Sequence, residues 1–202
     1  MIRCSKFFTL ALALALGIQC GSLKAEVVVT VVETSGDVVF SASGTLDLSS
    51  LTFDANGGTR ASIIPDRSAS EPNGSTFTLG ETPSVFLANT QYTGITTLGG
   101  IFGTNTAGTI ASTGTGGRFG IATNVLIVPS GYLSGENIFS TSVFESSDFS
   151  TLGLTPGSYV WEWGSDSITM NIIPEPSSAL LLGFTVLALA FSRRRNWGNT
   201  DN

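Results

Sequence analysis

Apolar and polar residues alternate with a period of two along most of residues 26–173, the spacing that is typical of β-strands. A β-branched run at residues 27–32 predicts the first strand, and the alternation of Val38, Phe40 and Ala42 predicts the second. Further strands are predicted at residues 76–79, 84–88, 118–123, 125–128 and 138–144. Small and turn-forming residues separate these segments at hairpin-like intervals, so we predict an all-β fold with a single jelly-roll-like β-sandwich over residues 26–173.

Three stretches of this region depart from simple alternation. Gly44 precedes Leu46 and Leu48, and we predict a turn or bulge at this glycine. Residues 147–152 are expected to form a single helical turn. Residues 93–117 are rich in Gly, Thr and Ser, and they fit either long loops or strands of small residues with little side-chain packing.

The most regular motif lies late in the region. Pro156-Gly157 predicts a tight turn, and Tyr159 two residues later is similar to the corner tyrosines of sandwich domains. Tyr159, Trp161 and Trp163 share one face of a predicted strand, because side chains two residues apart point the same way. We favour core packing, since each aromatic ring buries ~150–250 Å². The alternative is a platform on which sugar rings stack.

A second strand is predicted directly after this aromatic strand. Ile168, Met170 and Ile172 alternate with polar residues, and Asp166 is expected in the turn before them. The two strands therefore predict a hairpin.

The charge of residues 26–173 is strongly negative. Three arginines (Arg60, Arg67 and Arg118) stand against thirteen acidic residues, which gives a formal net charge of −10, and lysine and histidine are absent. A nucleic-acid partner is excluded, because binding phosphates requires clustered cations.

The residue types present also exclude most catalytic constellations. Cys4 and Cys20 both precede residue 26, so residues 26–173 contain neither cysteine nor histidine. A Ser-His-Asp or Cys-His arrangement, a zinc site with His or Cys ligands and a lysine Schiff base are therefore impossible there. We predict that the protein is not an enzyme and that it has no cofactor, no catalytic residue and no metal site.

Carboxylates leave two alternatives open, a carboxylate-only glycosidase and a calcium-dependent enzyme. Residues 54–57 (Asp-Ala-Asn-Gly) resemble the opening of a calcium loop but lack its third ligand and closing glutamate, so we predict a turn between strands. Asp47, Asp54, Glu145 and Asp148 show no spacing that selects an acid/base pair. We interpret them as solvated residues of strands and loops.

The beginning of the chain has the pattern of a secretory signal peptide. Arg3 and Lys6 precede an apolar block at residues 7–18, which is too short for a comfortable membrane span, and small and polar residues follow. We predict a signal peptide at residues 1–25 with cleavage between Ala25 and Glu26. The alternative is lipid attachment at Cys20, but glutamine stands before this cysteine where a small residue is expected.

The end of the chain combines an apolar segment with a positive stop. Residues 178–191 carry no charge, and Arg193, Arg194 and Arg195 follow closely. A helix over residues 177–192 spans about 24 Å, short of the ~30 Å hydrocarbon core, so a buried core helix is one interpretation. However, the segment is apolar on every face and the arginines can snorkel to the headgroups. We therefore predict a transmembrane helix at about residues 178–192, with the body outside the cytoplasm.

The order of motifs at this end carries a resemblance. Residues 173–177 (Ile-Pro-Glu-Pro-Ser), the apolar span and the arginine cluster resemble the PEP-CTERM sorting signal of exported bacterial proteins, over about residues 173–197. The tail domain is also catalogued as an ice-binding protein C-terminal domain. The resemblance implies that an exosortase, an integral-membrane cysteine transpeptidase, recognises Pro174, Glu175 and Pro176, cleaves near them and transfers the body to the cell surface or matrix. Residues 196–202 extend further than such tails usually do.

These patterns together predict a domain organisation. A signal peptide (1–25) and a β-sandwich ectodomain (26–173) are followed by a sorting and anchor segment (174–197) and a short tail (198–202). Residues 128–132 and 159–167 are also similar to uncharacterised ectodomains that carry this sorting tail, which implies no activity.

The leading functional hypothesis is an exported, non-enzymatic envelope or extracellular-matrix protein associated with exopolysaccharide. Signal peptidase, an exosortase and the membrane are its expected processing partners. A carbohydrate-binding module that uses Tyr159, Trp161 and Trp163 is the main alternative. Ice binding would require a flat, regular threonine array, but the threonines near residues 76, 104 and 113 are unevenly spaced.

Overall fold

The structure is a computed structural model that describes residues 25–71, 74–81 and 86–174. Its elements in chain order are β1 (Glu26–Thr34), β2 (Asp37–Thr45), β3 (Thr52–Thr59), β4 (Ser62–Ile64), β5 (Thr76–Leu79), β6 (Leu87–Thr93), β7 (Thr109–Ile110), β8 (Thr113–Gly116), β9 (Phe119–Ala122), β10 (Val125–Pro129), β11 (Asn137–Phe144), α1 (Phe149–Leu152), β12 (Gly157–Trp163) and β13 (Asp166–Ile173). The described residues form an all-β fold with two sheets, as the alternation predicts.

The first sheet has six strands in the order β12-β13-β1-β2-β11-β8. Its neighbours are antiparallel except for β1 and β13, which run parallel with Glu26 opposite Ser167 and Val32 opposite Ile173. Strands β12 and β13 form the predicted hairpin, in which Trp163 lies opposite Asp166. The first and last strands thus lie side by side and point towards the same end of the sheet.

The second sheet has seven strands in the order β3-β6-β10-β9-β5-β4-β7, and every neighbouring pair is antiparallel. Strand β5 occupies the predicted residues 76–79, β9 is one residue shorter than predicted at each end, and β10 is one residue longer than predicted. Strand β6 begins at Leu87, later than predicted, and continues to Thr93.

One apolar core joins the two sheets. Most of the buried apolar side chains of the two sheets belong to a single cluster, which includes Phe40 and Trp161 from the first sheet and Phe77 and Ile121 from the second. The rings of Phe77 and Trp161 lie 5.3 Å apart across the sheets. The two sheets therefore face each other as a sandwich, and the alternating residues that point inward supply the contact.

Three local predictions were wrong. Asp166, expected in the turn before β13, is the first residue of that strand and pairs with Trp163. The other two concern β3 and β2. Residues 54–57 form no turn but belong to β3, which pairs with β6 and has a bulge between Phe53 and Ala55. Gly44, where a turn or a bulge was predicted, lies inside β2 opposite Val27 and Ile138, and the register with both neighbouring strands is continuous through it. Sheet pairing explains both results, because backbone hydrogen bonds to a neighbouring strand hold even polar or glycine-containing segments extended.

Residues 93–117 were predicted to form either long loops or strands of small residues, and they contain both. Strands β7 and β8 are short and contain mainly small residues. Between them and β6 runs a long loop whose Ile95 and Leu98 pack against the core and whose Phe102 is buried. This loop therefore shields part of the core from solvent.

The predicted helical turn at residues 147–152 is confirmed by α1. Asp148 caps it by accepting a hydrogen bond from the backbone N–H of Thr151 at 2.6 Å, and Gly153 ends it in the left-handed conformation.

Several predicted segments lie outside the described residues. These are residues 1–24 with Cys20, the membrane span at residues 178–192, Glu175, Pro176, Arg193, Arg194 and Arg195. Ala25, Glu26 and Pro174 are described, and Pro174 is exposed. Within the described ranges, no helix has the length and apolarity needed to cross a bilayer.

Candidate functional site

The aromatic face of β12 points into the core. Tyr159, Trp161 and Trp163 share one strand face as predicted, but Trp161 is 1 % exposed and Trp163 is 0 % exposed. Trp161 packs on Phe77, and the indole N–H of Trp163 donates a hydrogen bond to the carbonyl of Asp47 at 3.1 Å. A sugar platform of three rings is therefore not formed, because two of the rings are inside the sandwich. Trp161 and Trp163 are therefore core residues, as favoured above.

Tyr159 is half-buried and closes a tyrosine corner. Its hydroxyl donates a hydrogen bond to the carbonyl of Thr155 at 2.9 Å, and its ring lies 6.0 Å from that of Phe102. Burial raises the pKa of the Tyr159 hydroxyl. The predicted corner role is confirmed, and the residue fixes the start of β12.

The carboxylate of Asp166 meets the backbone of Asp47, 119 residues away in the sequence, at the end of the sandwich where β13 begins. Asp166 is 2 % exposed, and its carboxylate accepts hydrogen bonds from the backbone N–H groups of Asp47 and Ser167. Asp47 accepts hydrogen bonds from the backbone and the hydroxyl of Ser49, each at 2.9 Å. Burial raises the pKa of Asp166, whereas the bonds from Ser49 lower the pKa of Asp47. Each carboxylate thus holds backbone donors of a loop in place.

The remaining carboxylates that the sequence singled out are dispersed. Asp54 is exposed on β3 of the seven-stranded sheet, Glu145 is exposed in the turn after β11 of the six-stranded sheet, and Asp148 caps α1. Within residues 25–71, 74–81 and 86–174, no three His, Cys, Asp or Glu side chains form a group that could hold a metal ion.

The pKa of Asp166 is raised and that of Asp148 is lowered, so the two carboxylates should affect the pH dependence of stability in opposite directions. Because the pKa of Asp166 is raised above its ordinary value of 3.8, its contribution to stability is fully present below pH 3.8 and is lost as the pH rises through the raised pKa. We expect the stability of the protein relative to Asp166→Asn to fall over that range, measured by urea unfolding at a series of pH values.

Asp148→Asn provides a control of opposite sign. The hydrogen bonds from Thr151 lower the pKa of Asp148, so its contribution is present above pH 3.8 and is lost as the pH falls through the lowered pKa. If both variants showed the same direction of pH dependence, the structural roles of these two carboxylates would be wrong.

An open cleft lies on the outer face of the seven-stranded sheet, away from the core. Phe77 of β5 points into the core, so its neighbours Thr76 and Thr78 point outward into the cleft. Ile127 of β10 and Ala122 of β9 line it beside them. The cavity has a volume of about 460 Å³, which lies within the range of about 300–1,000 Å³ for small-molecule sites.

Two of the three arginines in residues 26–173 line this cleft. The guanidinium of Arg60 lies over the ring of Phe86, 4.6 Å from its centroid, and Phe86 is 64 % exposed. The Nη1 atom of Arg67 donates a hydrogen bond to the hydroxyl of Thr76 at 3.4 Å. Among the described residues, neither guanidinium forms an ion pair with a carboxylate. The cleft therefore concentrates positive charge on an acidic body.

Hydrogen bonds fix the backbone at both arginines. The hydroxyl of Thr78 donates to the carbonyl of Arg60 at 2.6 Å and accepts from the backbone N–H of Ser62 at 3.2 Å. The backbone N–H of Arg67 donates to the carbonyl of Gly74 at 2.8 Å, and its carbonyl accepts from Glu71 at 2.8 Å. Both side chains therefore start from positions that the sheet and its adjacent loop determine.

The third arginine has a different role. Arg118 is fully buried, and its guanidinium donates hydrogen bonds to the carbonyls of Leu79 and Glu81 at 3.1 and 3.2 Å. Burial lowers the pKa of Arg118. This side chain joins β9 to the end of β5 and belongs to the structure of the sheet.

No pattern in the sequence marks a residue of the cleft as a sugar contact. Arg60 and Arg67 enter only the charge balance, Thr76 enters only the threonine pattern weighed for ice binding, and Phe86 has no predicted role. The available signal was that residues 26–173 contain only three cations and that two of them lie seven residues apart. Their convergence with β5 depends on the pairing of β4 with β5 and could not be read from that spacing.

Comparison with protein-family models, with curated proteins and with solved structures finds no match for this chain.

Proposed function

We propose that this chain is an exported, non-enzymatic protein of the bacterial envelope or extracellular matrix that associates with exopolysaccharide. Signal peptidase removes residues 1–25, and an exosortase then processes the chain at Pro174, Glu175 and Pro176. Before that step, the apolar segment at residues 178–192 and the arginines at positions 193–195 anchor it in the membrane. The resemblance of residues 173–197 to a PEP-CTERM signal supports this order of events.

The single observation that carries the association with polysaccharide is the open cleft on the outer sheet face. Sugars present hydroxyl groups and apolar ring faces, and sites for them combine polar groups with aromatic rings. The cleft offers the hydroxyls of Ser62 and Thr76, the guanidiniums of Arg60 and Arg67, and the exposed ring of Phe86. This set can hydrogen-bond a sugar and contact its ring.

The directions of the first and last strands support the sorting route. In the parallel pair, Glu26 lies opposite Ser167 and Val32 lies opposite Ile173. The end of β13 therefore lies about 20 Å further along the sheet than the start of β1. Pro174 follows β13 at the surface and is exposed. A membrane-embedded enzyme can therefore approach the start of the sorting motif without opening the sandwich.

The pairing of strands distant in sequence, such as β2 with β11 and β3 with β6, is typical of the long connections in jelly-roll-like sandwiches. We propose that the ectodomain is of this type.

Mass spectrometry of the protein isolated from fractionated cells tests the proposed function. We expect a chain that begins at Glu26, ends near residues 174–176 and is recovered with the envelope or matrix exopolysaccharide. Replacing Pro174 and Pro176 together with alanine is expected to leave the apolar tail attached and the protein in the membrane fraction. Glu145→Gln, an exposed change outside the sorting segment, should be processed normally. Recovery of the full unprocessed chain from the cytosol would contradict the proposal.

A further inference from the structure

We infer that the cleft on the outer face of the seven-stranded sheet binds a carboxylate-bearing sugar, the uronic acid unit of an anionic polysaccharide. This inference rests on the proposed function and specifies it, because it names the charged group that the polysaccharide must carry. A guanidinium is planar and presents paired N–H donors that match the two oxygens of a carboxylate.

The charge distribution selects an anion at this place. Residues 26–173 carry three arginines against thirteen acidic residues, and Arg118 is buried in hydrogen bonds to backbone carbonyls. The two accessible cations, Arg60 and Arg67, line the same cleft. An anionic sugar therefore meets favourable charge here, whereas the acidic remainder of the body repels it.

The contacts of the two arginines leave donors for a ligand. Arg60 stacks on Phe86, which holds the guanidinium plane without using its N–H groups. Arg67 uses one nitrogen on Thr76, in a hydrogen bond of 3.4 Å, and forms no ion pair among the described residues. A guanidinium has five N–H donors, so both arginines retain donors that can reach a carboxylate.

The floor of the cleft suits the ring of the sugar. The half-buried Ala122 and the almost fully buried Ile127 form the apolar base of the cleft, beside the hydroxyls of Thr76 and Ser62. Apolar contact with one ring face and hydrogen bonds to ring hydroxyls are the complement of a pyranose, and a carboxylate on that ring can extend towards the arginines. The cavity of about 460 Å³ is large enough for such a unit.

The test compares a uronate oligosaccharide with its own methyl ester. The full chain, purified in detergent, is titrated calorimetrically with trigalacturonic acid and with the fully methyl-esterified trisaccharide, in which each charged carboxylate is replaced by a neutral methyl ester. We expect the acid to bind at least tenfold more tightly than the ester, and its affinity to fall with added salt. Equal affinity for the two, or binding of neither, overturns the inference.

Variants locate the binding. Arg60→Gln and Arg67→Gln are each expected to weaken binding of the acid at least tenfold, and Ala122→Leu, which fills the floor and keeps both arginines, should weaken it as well. Glu145→Gln changes the net charge by one at an exposed residue directly after β11 and outside the cleft lining, and this variant should bind as the unaltered chain does. Thermal unfolding of each variant checks the fold. Unchanged affinity in both folded arginine variants overturns the inference.

A further arm separates the possible anions. Galactose 6-phosphate carries a phosphate where galacturonate carries a carboxylate, and tighter binding of the phosphate than of galacturonate overturns the assignment to a uronic acid. The failure of this inference is distinguishable from the failure of the proposed function. A matrix protein that binds neutral polysaccharide keeps the proposed function and loses this inference, whereas a cytosolic chain that binds trigalacturonate through Arg67 does the reverse.

Discussion

Replacing Trp161 with alanine is expected to lower the free energy of unfolding by about 3–5 kcal/mol. The side chain is 1 % exposed and lies 5.3 Å from the ring of Phe77, so it joins β12, an edge strand of the six-stranded sheet, to the second sheet. Gly99 packs so closely on the indole that a Cβ at this position would lie 2.5 Å from it. Removal of the indole would therefore leave a cavity that the surrounding loop and sheet can fill only in part.

Urea unfolding followed by circular dichroism measures this change. Phe139→Ala on β11 is the matched control, because this aromatic is 68 % exposed and its removal should change stability by no more than about 0.5 kcal/mol. The same variants also separate a core residue from a ligand contact. If Trp161→Ala kept its full stability but lost glycan binding, the assignment of this tryptophan to the core would be wrong.

Gly44→Ala is expected to destabilise the protein by about 2–4 kcal/mol. Gly44 has a φ angle of +141°, which side chains rarely adopt, and the carbonyl oxygen of Glu26 occupies the space that a Cβ would need. The residue lies in β2 between β1 and β11, so neither neighbouring strand can move away without losing its own hydrogen bonds. The expected cost combines backbone strain with overpacking.

Gly58→Ala is the control for this prediction, because it is also a strand glycine but its Cβ would meet Phe86 at an ordinary distance of 3.5 Å. Its effect on the urea midpoint should be small by comparison. Equal midpoints for the two alanine variants would show that the close approach at Gly44 is relieved at little cost.

The strands were largely predictable because their signal is local. Alternation of apolar and polar residues gives β5 and nearly all of β9 to β11, since each residue of a strand points to the face opposite its neighbour. The hairpin of β12 and β13 and the corner role of Tyr159 follow from short motifs in the same way. These features depend on residues that are close to each other in the sequence.

The failures arose where pairing with a distant strand overrides local preference. Residues 54–57 have the composition of a turn, yet β6 holds them in a strand from more than 30 residues away. Asp166 was expected in a turn and is instead the buried acceptor for the backbone of Asp47, which lies 119 residues distant. Neither partner can be identified from the local sequence.

The candidate site shows this limit most clearly. Arg60 follows β3, Arg67 lies in the loop after β4, and Phe86 precedes β6, and none of them has a motif around it. They converge on one cleft because β4 and β5 pair and because Thr78 and Thr76 contact the two arginines. The sequence shows that cations are scarce in residues 26–173, but it does not predict that Arg60 and Arg67 line the same cleft.

The amino-acid order alone determined that the described body is built from strands, that its net charge is negative and that it lacks the side chains of most catalytic sites. These properties follow from residue type and from a period of two. Tertiary structure alone decided that Trp161 and Trp163 are core and that Arg60, Arg67 and Phe86 form a cleft. The physical reason is that a strand's pattern defines two faces, while the strands and loops that pack against them decide which face is covered and which is left to bind.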